Sequence, residues 1–456
     1  MTDAKVNLWG RTVGAVSWDA GRALGVFEYA PEFLNSSVEI SPIVMPKSSR
    51  FYEFPGNRAR GGEESAFNGL PGLLADSIPD KFGNALIDSW LIRQGRPRES
   101  MNPVERLCYV GKRGMGALEF EPAVRKALNR AVDVEVSLLV ELANEVLGNR
   151  SELSGVLDDS KDGLQEILRV GTSAGGARAK AVLAWNPQTN DFKSGQLNAP
   201  LGYEHWLLKF DGVESPDSNN LADTKGYGRI EYGYYLMARE CGIHMTPSRL
   251  HEEGGRAHFM TKRFDREGDT KRHVQSLCAL RHYDYNLPRV YSYEQAVEAC
   301  RLLNLGMTDI EQMVRRAYFN ILARNQDDHT KNIAFIMDKA GAWRLSPAYD
   351  MTYAFNPDAF WTREHQMSLN GKTDHFLRDD LIAFGQFAGL KKNRSLDVLN
   401  EVGEAVRLWP TFATQAGVQS EKAESIKSVQ RLHLVKSLKK ENPAEAHEKN
   451  GGPTRT

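Results

Sequence analysis

The chain has 456 residues, of which 41% are hydrophobic and 26% are charged. This length suits two or three domains with sizeable interiors, and this composition describes a soluble globular protein. The 58 basic and 59 acidic side chains leave a formal charge of -1, so no field of the whole protein would attract nucleic acid.

The four cysteines, at positions 108, 241, 278 and 300, are widely spaced and form no Cys-x-x-Cys pair. This spacing argues against a zinc site and against a disulfide framework, and it fits a reducing cytosol. The amino terminus lacks the basic start and apolar run of a signal peptide, and no stretch of about 18 apolar residues could span a bilayer. We therefore expect a cytoplasmic protein without a membrane partner.

The first third of the chain begins with short β-rich runs separated by glycines, between residues 6 and 53, which predict a small antiparallel sheet. From Leu73 to Arg93 the apolar residues follow helical spacing, with a break expected at Pro79. A second amphipathic helix is predicted from Val134 to Leu147. The polar segment from Asn149 to Gly163 is typical of a domain boundary.

Strand signals dominate the middle of the chain, and helical signals dominate the rest. The predicted strands are Leu164 to Val170, Ala179 to Trp185, Trp206 to Phe210 and His258 to Phe264, with one helix from about Ile230 to Cys241. From Ser292 onward helices prevail, and one apolar stripe ends just before Asp327. The last 20 residues, from Ser437 to Thr456, are polar and are expected to be disordered.

The loop after that apolar stripe carries the most informative motif. Asp327 and Asn332 have the Asp-x-x-x-x-Asn spacing by which protein kinases place an acceptor-orienting carboxylate and a Mg²⁺ ligand, and Asp350 follows as a second metal-binding carboxylate. The spacing selects Asp327 rather than Asp328. A strand pair predicted between Ile333 and Leu345 would bring both aspartates to one side. The alternative is a metal cluster or an ordinary acidic turn.

A glycine-rich segment from Gly171 to Lys180 lies between two predicted strands. Its glycines could let the backbone close over phosphates while Lys180 adds charge, although it lacks the ending of a Walker loop and a plain turn explains it as well. The segment also fits Gly-x-Ser-x-Gly, so a hydrolase using Ser173, Asp350 and His365 is a rival. A nucleophile elbow leads from a strand into a helix, however, and the residues that follow here predict a strand.

Lys209 lies in an apolar predicted strand, where a lysine needs a partner. A kinase uses such a lysine for the ATP phosphates and pairs it with a helix glutamate, for which Glu231 is the first candidate and Glu240 the second. The alternative is an edge-strand lysine that points to solvent. The end of the next predicted strand, with Lys262 and Phe264, could form a nucleotide hinge or simply a charged strand end.

Together these motifs resemble the HipA family of serine/threonine kinases, the toxins of bacterial toxin-antitoxin pairs. The resemblance covers nearly the whole chain. It rests on five segments: Val6-Asn7-Leu8-Trp9-Gly10, Leu70-Pro71-Gly72-Leu73-Leu74-Ala75-Asp76-Ser77-Ile78-Pro79-Asp80, Ser173-Ala174-Gly175-Gly176-Ala177-Arg178-Ala179-Lys180, Asn325-Gln326-Asp327-Asp328-His329-Thr330-Lys331-Asn332, and Tyr349-Asp350-Met351.

The resemblance implies a role for each matching residue. Asp327 would orient or deprotonate the acceptor hydroxyl, and Asn332 and Asp350 would bind Mg²⁺. ATP would contact Ser173, Ala174, Gly175, Gly176, Ala177, Lys180, Lys209, Lys262, Phe264, His329 and Lys331. Ser173 matches a serine that the family can autophosphorylate, and the added negative charge would expel the loop and switch the enzyme off.

The resemblance also implies partners and a fold. We expect an α+β protein with a small β-rich domain over residues 1–150, which could dock the antitoxin, and a kinase-like two-lobed catalytic domain with a helical carboxyl-terminal lobe over residues 151–436. The antitoxin would be a helix-turn-helix protein of the HipB type, and it would supply any DNA contact. Family substrates include aminoacyl-tRNA synthetases, so translation arrest is expected. A catalytically idle antitoxin-binding or corepressor module is a third alternative.

Overall fold

The computed structural model describes most of the chain: residues 2–58, 65–79, 81–123, 132–148, 167–168, 170–171, 178–194, 197, 199–213, 225–268 and 270–435. Three predictions lie outside these residues, namely the polar boundary at 149–163, the glycine-rich loop at 172–177 and the disordered tail at 437–456. None of the helices in the described ranges combines the length and the apolar character that a bilayer crossing requires.

An antiparallel sheet opens the chain, as the sequence predicted. Its strands are β1 (Thr2–Leu8), β2 (Arg11–Asp19), β3 (Leu24–Tyr29) and β4 (Leu118–Glu121), in the order β3-β2-β1-β4. The apolar side chains Ala4, Val6 and Leu8 of β1 are buried, because one face of the sheet packs on a hydrophobic core. The short helix α1 (Pro31–Leu34) follows the hairpins.

The next helices are α2 (Gly72–Ala75), α3 (Lys81–Arg93), α4 (Pro103–Val110) and α5 (Val136–Gly148). The helical signal from Leu73 to Arg93 is split around Pro79, as predicted, because proline cannot continue a hydrogen-bonded helix. Helix α4 starts at a capping box in which the Asn102 side chain accepts a hydrogen bond from the Glu105 backbone N–H at 3.0 Å.

A second sheet holds five strands in the order β6-β5-β7-β9-β8. They are β5 (Lys180–Trp185), β6 (Phe192–Ser194), β7 (Glu204–Lys209), β8 (Ser248–Glu253) and β9 (Arg256–Lys262), and helix α6 (Tyr227–Glu240) packs against β9. Strands β5, β7 and β9 and helix α6 agree with the predictions. The sequence did not predict β6 or β8.

The predicted strand from Leu164 to Val170 is wrong. Ile167, Leu168, Val170 and Gly171 are helical, and the three apolar side chains are buried in the core that α3 and α5 share with β5 and β7. The leucine and isoleucine at 164, 167 and 168 already have helical spacing, and a short apolar run does not separate helix from strand by periodicity alone. The glycine-rich loop therefore follows a helix rather than a strand.

The carboxyl-terminal half is mainly helical, as predicted. Its helices are α7 (Leu277–Arg281), α8 (Tyr293–Leu302), α9 (Met307–Ala323), α10 (Arg378–Phe387), α11 (Lys392–Arg407), α12 (Trp409–Ala416) and α13 (Ser420–Val429). Two small sheets accompany them, formed by β10 (Arg266–Glu267) with β11 (Thr270–Lys271) and by β12 (His273–Ser276), β13 (Ala334–Met337) and β14 (Trp343–Leu345). The fold is α+β.

Candidate active site

The loop after α9 is held in place by its backbone. Arg324 ends the helix in the left-handed conformation (φ 59°), and its N–H donates to the Asn320 carbonyl oxygen. The chain then passes through a short 3-10 turn, Thr330–Asn332, into the hairpin of β13 and β14. This hairpin was predicted, and it leads directly to Asp350, which also has positive φ (53°). Helix, loop and hairpin thus bring Asp327 and Asp350 to the same part of the fold.

The two adjacent aspartates of the loop have different surroundings. Half of the Asp327 side chain is exposed, and its carboxylate lies 3.9 Å from His329 Nε2. Asp328 is buried and accepts hydrogen bonds from the Tyr293 hydroxyl (2.7 Å) and the Gln366 N–H (2.8 Å). Burial would raise the pKa of Asp328, but neighbouring His365 and these donors outweigh it and lower the pKa. Asp328 is therefore a structural group, whereas Asp327 is accessible.

Asn332 is oriented by the loop itself. Its side-chain Nδ2 donates to the backbone carbonyl oxygen of Asp327 at 2.8 Å, which closes the five-residue interval between them. An amide that donates through its nitrogen still offers its oxygen to another group. Asp327 and Asn332, which the sequence analysis selected by their spacing, are therefore in direct contact, and this contact fixes the geometry of the loop.

Lys209 connects the sheet with both neighbouring elements. Its Nζ donates to Glu231 Oε1 on α6 at 2.6 Å and also forms a direct ion pair with the Asp350 carboxylate. The pairing with Glu231 was predicted, whereas Glu240 is exposed near the other end of the helix. Lys209 is nearly buried, so the edge-strand alternative is wrong: β7 is the central strand of its sheet. The Lys209 ammonium thus connects β7 with α6 and with the loop that follows β14.

Electrostatics keep this cluster charged. Burial opposes the charge on Lys209, but the carboxylates of Asp350 and Glu231 raise its pKa. Burial would likewise raise the pKa of Asp350, and the ammonium groups of Lys209 and Lys180 lower it instead. Lys180, at the start of β5, stands directly opposite Lys209 in the antiparallel register. Lys209 and Lys180 therefore both act on the partly exposed carboxylate of Asp350.

These groups line a cavity of about 150 Å³ between the five-stranded sheet and the loop. Apart from Lys180, the nucleotide-contact candidates that the structure describes all line it: Lys209, Lys262, Phe264, His329 and Lys331. The Lys262 ammonium also pairs with Glu204 at 2.7 Å, and the Phe264 ring lies 5.8 Å from that of Tyr349. Asn332 and Asp350 line the same cavity, whereas Ser173, Ala174, Gly175, Gly176 and Ala177 lie outside the described residues.

The donor chemistry of this cavity fits Mg²⁺. Asp350 offers a carboxylate whose lowered pKa keeps it ionised, and Asn332 offers an amide oxygen. Mg²⁺ prefers oxygen ligands and usually takes only one or two from the protein, the others coming from water and phosphate. Within the described ranges no group of three or more His, Cys, Asp or Glu side chains forms a metal cluster, so the metal-cluster alternative for the Asp327 loop has no support there.

The hydrolase alternative does not match the contacts of its proposed base. His365 is fully buried, with Nδ1 at 2.7 Å from Asp328 Oδ2 and Nε2 at 2.8 Å from an Arg431 nitrogen. Both ring nitrogens are therefore occupied, and the partner carboxylate is Asp328 rather than Asp350. The segment before the proposed nucleophile is helical and the one after it is β5, the reverse of an elbow.

The sequence did not predict the contribution of the amino-terminal third to the cavity. Asp76, Ser77 and Met115 line it, and Asp76 accepts hydrogen bonds from the Ser276 N–H (2.6 Å) and hydroxyl (2.8 Å). Burial raises the pKa of Asp76, with Lys331 acting in the opposite direction. The motif containing Asp76 was noted only as a family resemblance, since nothing in its local pattern indicates a distant cavity.

Comparisons with known proteins show which family and which solved structures this chain is similar to. The sequence matches the HipA N-terminal domain over residues 4–121 and the HipA-like C-terminal domain over residues 172–409. A chain in the structure of the Shewanella oneidensis MR-1 toxin-antitoxin system HipA, HipB and operator DNA complex is similar in fold, with a TM-score of 0.62 and 16% identity over 94% of this chain and 96% of that chain.

A second solved structure, the Helicobacter pylori proinflammatory kinase CtkA, has a TM-score of 0.32 and 13% identity over 54% of this chain and 95% of that one. The HipA-like C-terminal match alone spans more than half of the 456 residues, and the N-terminal match adds most of the first domain. By these matches the chain belongs to the HipA family.

Proposed function

We propose that this protein is an ATP- and Mg²⁺-dependent serine/threonine protein kinase that acts as the toxin of a toxin-antitoxin pair. The observation that carries the proposal is the cluster in which Lys209 meets Glu231 and Asp350 beside the Asp327–Asn332 contact. This set supplies a cation for phosphates, oxygen ligands for a metal and an accessible carboxylate, which are the parts that phosphoryl transfer requires.

Each group has a task that follows from its surroundings. Asp327, whose side chain is half-exposed, accepts the proton of the acceptor hydroxyl while the hydroxyl oxygen attacks the γ-phosphorus. Lys209 and Lys180 would neutralise the ATP phosphates. Asn332 and Asp350 would hold Mg²⁺, which would supply positive charge to screen the transferred group. The oxygen bridging the β- and γ-phosphates leaves with ADP. Catalysis rests mainly on positioning and electrostatics.

The finer parts of the proposal concern regulation and partners. Phosphate on Ser173 would add negative charge close to the ATP phosphates and act as an off switch. A HipB-type antitoxin would dock on the domain formed by residues 1–150, with the catalytic domain spanning 151–436, and would carry any DNA contact. An aminoacyl-tRNA synthetase is the proposed substrate class, with translation arrest in the cytoplasm as the result.

The test is mass spectrometry of the full chain after treatment with phosphatase and then incubation with Mg²⁺-ATP. We expect intact mass to rise by one phosphate and peptide mapping to place it on Ser173, and we expect no gain in an Asp327→Asn variant. Protein that neither gains phosphate nor binds ATP would overturn the kinase proposal. Binding without transfer, with or without an added protein substrate, would favour an idle antitoxin-binding module.

A further inference from the structure

A second cavity, of about 500 Å³, lies beside the candidate active site and takes no part in the arrangement described above. Its walls come from Arg324, just before the catalytic loop, and from the segment that follows Asp350. The lining residues are Arg324, Phe355, Pro357, Arg363, Glu364, Gly371, Lys372, Thr373, Asp374 and His375. We call this the basic cavity.

The basic cavity carries excess positive charge. We count the described charged residues that line the cavity together with those that form ion pairs with the lining. There are five cations, Arg289, Arg324, Arg363, Lys372 and Arg431, and three carboxylates, Glu364, Asp374 and Asp380. Each carboxylate already has a close polar partner: Asp374 pairs with Arg431, Asp380 with Lys372 at 2.6 Å, and Glu364 accepts a hydrogen bond from the Thr373 hydroxyl at 2.7 Å. Arg324 and Arg363 share carboxylates that already have these closer partners, at 3.9 Å from Asp374 and 3.7 Å from Glu364, so the excess charge falls on them.

Arg324 is held rigidly at the wall. Its Nε donates to the Val429 carbonyl oxygen at 2.8 Å, and its guanidinium lies 4.3 Å from the centre of the Phe355 ring. Its distance to Asp374 is 3.9 Å, at the outer limit of an ion pair. Arg363 is half-exposed and lies 3.7 Å from Glu364. A fixed arginine and an exposed one thus share an opening with room for an acidic side chain.

The basic cavity lies within reach of the phosphoryl-transfer site. Arg324 precedes Asp327 by three residues, so their Cα atoms are at most about 11 Å apart. The Gln326 N–H donates to Ala354 at 3.1 Å, which ties the loop to the start of the cavity wall. An extended peptide advances roughly 3.3 Å per residue. A side chain about three positions from the acceptor hydroxyl would therefore reach Arg324.

We propose that the basic cavity binds an acidic segment of the protein substrate, a few residues from the serine or threonine that is phosphorylated. This inference rests on the proposed kinase activity and narrows its substrates to proteins that carry aspartate or glutamate near the acceptor. Phe355 and Pro357 give the cavity an apolar side, which suits the backbone and methylene groups of such a segment. Charge complementarity of this kind fixes register and partner choice.

The test uses the Asp327→Asn protein, which we expect to bind substrate without turnover. Two short fluorescent peptides each carry a single serine and differ only near it, where one has two glutamates and the other has two glutamines. We expect the acidic peptide to bind about tenfold more tightly, a difference of about 1.4 kcal/mol. Arg363→Glu should remove this preference. Arg344→Glu is the matched control, because Arg344 is 68% exposed and does not line the basic cavity.

Equal binding of the two peptides would overturn the proposal, and so would equal losses of acidic-peptide affinity in Arg363→Glu and Arg344→Glu. A single-stranded oligonucleotide that competes at Arg363 and binds more tightly than the acidic peptide would also overturn it. Phosphorylation of both peptides at equal rates by the Asp327 enzyme would leave the kinase proposal standing and remove this one. If the protein binds the acidic peptide through Arg363 but transfers no phosphate, the acidic-segment proposal would stand and the kinase proposal would fall.

Discussion

Lys209 and Asp350 form a direct ion pair across the candidate active site, although 141 residues separate them in the chain. The same ammonium group also pairs with buried Glu231. Removing one partner of a buried ionic cluster leaves the others uncompensated in a medium of low polarity. The stability of the fold and the electrostatics of the site therefore depend on one side chain.

Replacement of that side chain, Lys209→Met, should lower the free energy of unfolding by about 3 kcal/mol, because the Glu231 and Asp350 carboxylates would lose the cation that pairs directly with both. It should also abolish ATP binding. Denaturant unfolding and calorimetric titration with ATP would measure the two effects. Lys193→Met is the control, since Lys193 pairs on the same sheet with the exposed Asp133 and should change neither quantity appreciably. Similar losses in both variants would contradict this prediction.

Substitution of Asp327 should mainly lower activity, whereas substitution of its neighbour Asp328 should mainly lower stability. Asp327→Asn should reduce phosphoryl transfer by about 10²- to 10⁴-fold, the range of general-base catalysis, with little change in unfolding, because the side chain is half-exposed. Asp328→Asn should instead cost about 3 kcal/mol of stability, because the amide would face His365, Tyr293 and the Gln366 N–H in the interior. A stable, inactive Asp328→Asn protein would reverse this assignment.

The contact between His282 and Gly72 should make stability depend on pH. His282 Nε2 accepts a hydrogen bond from the Gly72 N–H at 2.9 Å, and burial lowers the pKa of His282 to about 4. Since the unfolded state binds this proton below about pH 6.5, stability is full above that pH and falls as the pH drops towards 4.

Between pH 7 and pH 5 the loss assigned to His282 is about 2 kcal/mol. His282→Gln keeps an acceptor but does not titrate, so the slope of unfolding free energy against pH should flatten by roughly this amount. His375→Gln, at an exposed position, should leave the slope unchanged. Urea unfolding at several pH values would test the comparison, and identical slopes in the two variants would refute the role given to His282.

Gly228 sets the separation between α6 and β9. A Cβ there would lie 2.0 Å from the Ala257 carbonyl oxygen, a distance that only a shift of the helix could relieve. We expect Gly228→Ala to move α6, weaken the Lys209–Glu231 contact and raise the Kd for ATP, with a loss of about 1 to 3 kcal/mol in stability from overpacking. Gly306→Ala, where a Cβ would meet nothing within 4 Å, is the control. Unchanged ATP affinity in Gly228→Ala would count against the argument.

The sequence predicted those parts of the site in which residues lie at a characteristic interval along the chain or in which a charged residue needs a partner in an apolar segment. Asp327 and Asn332 follow from their five-residue interval, and a lysine inside an apolar strand demands a carboxylate, which Glu231 supplies. The two β-hairpin strands after the loop were predictable for the same reason, because alternating and apolar runs there are bounded by turn residues.

Other features depend on distant contacts. Asp328 differs from Asp327 only in what surrounds it, and Tyr293 and His365 carry no signal that they will meet it. Strand β8 escaped prediction because Ser248–Glu253 is polar and only partly buried, so it shows no apolar alternation. Residues 167 and 168 were assigned to a strand because tertiary packing decides short apolar runs.

The core shared by α3, α5 and the five-stranded sheet has a consequence for synthesis on the ribosome. The apolar faces of α3 and α5 pack against Leu183, Leu208 and Met260, which emerge many residues later. Since chains grow at about 5 to 20 residues per second, these faces stay uncovered for several seconds while translation continues. The newly made chain cannot complete the candidate active site during that interval, so each molecule passes through a stage in which its apolar faces are open to chaperones and proteases before the site exists.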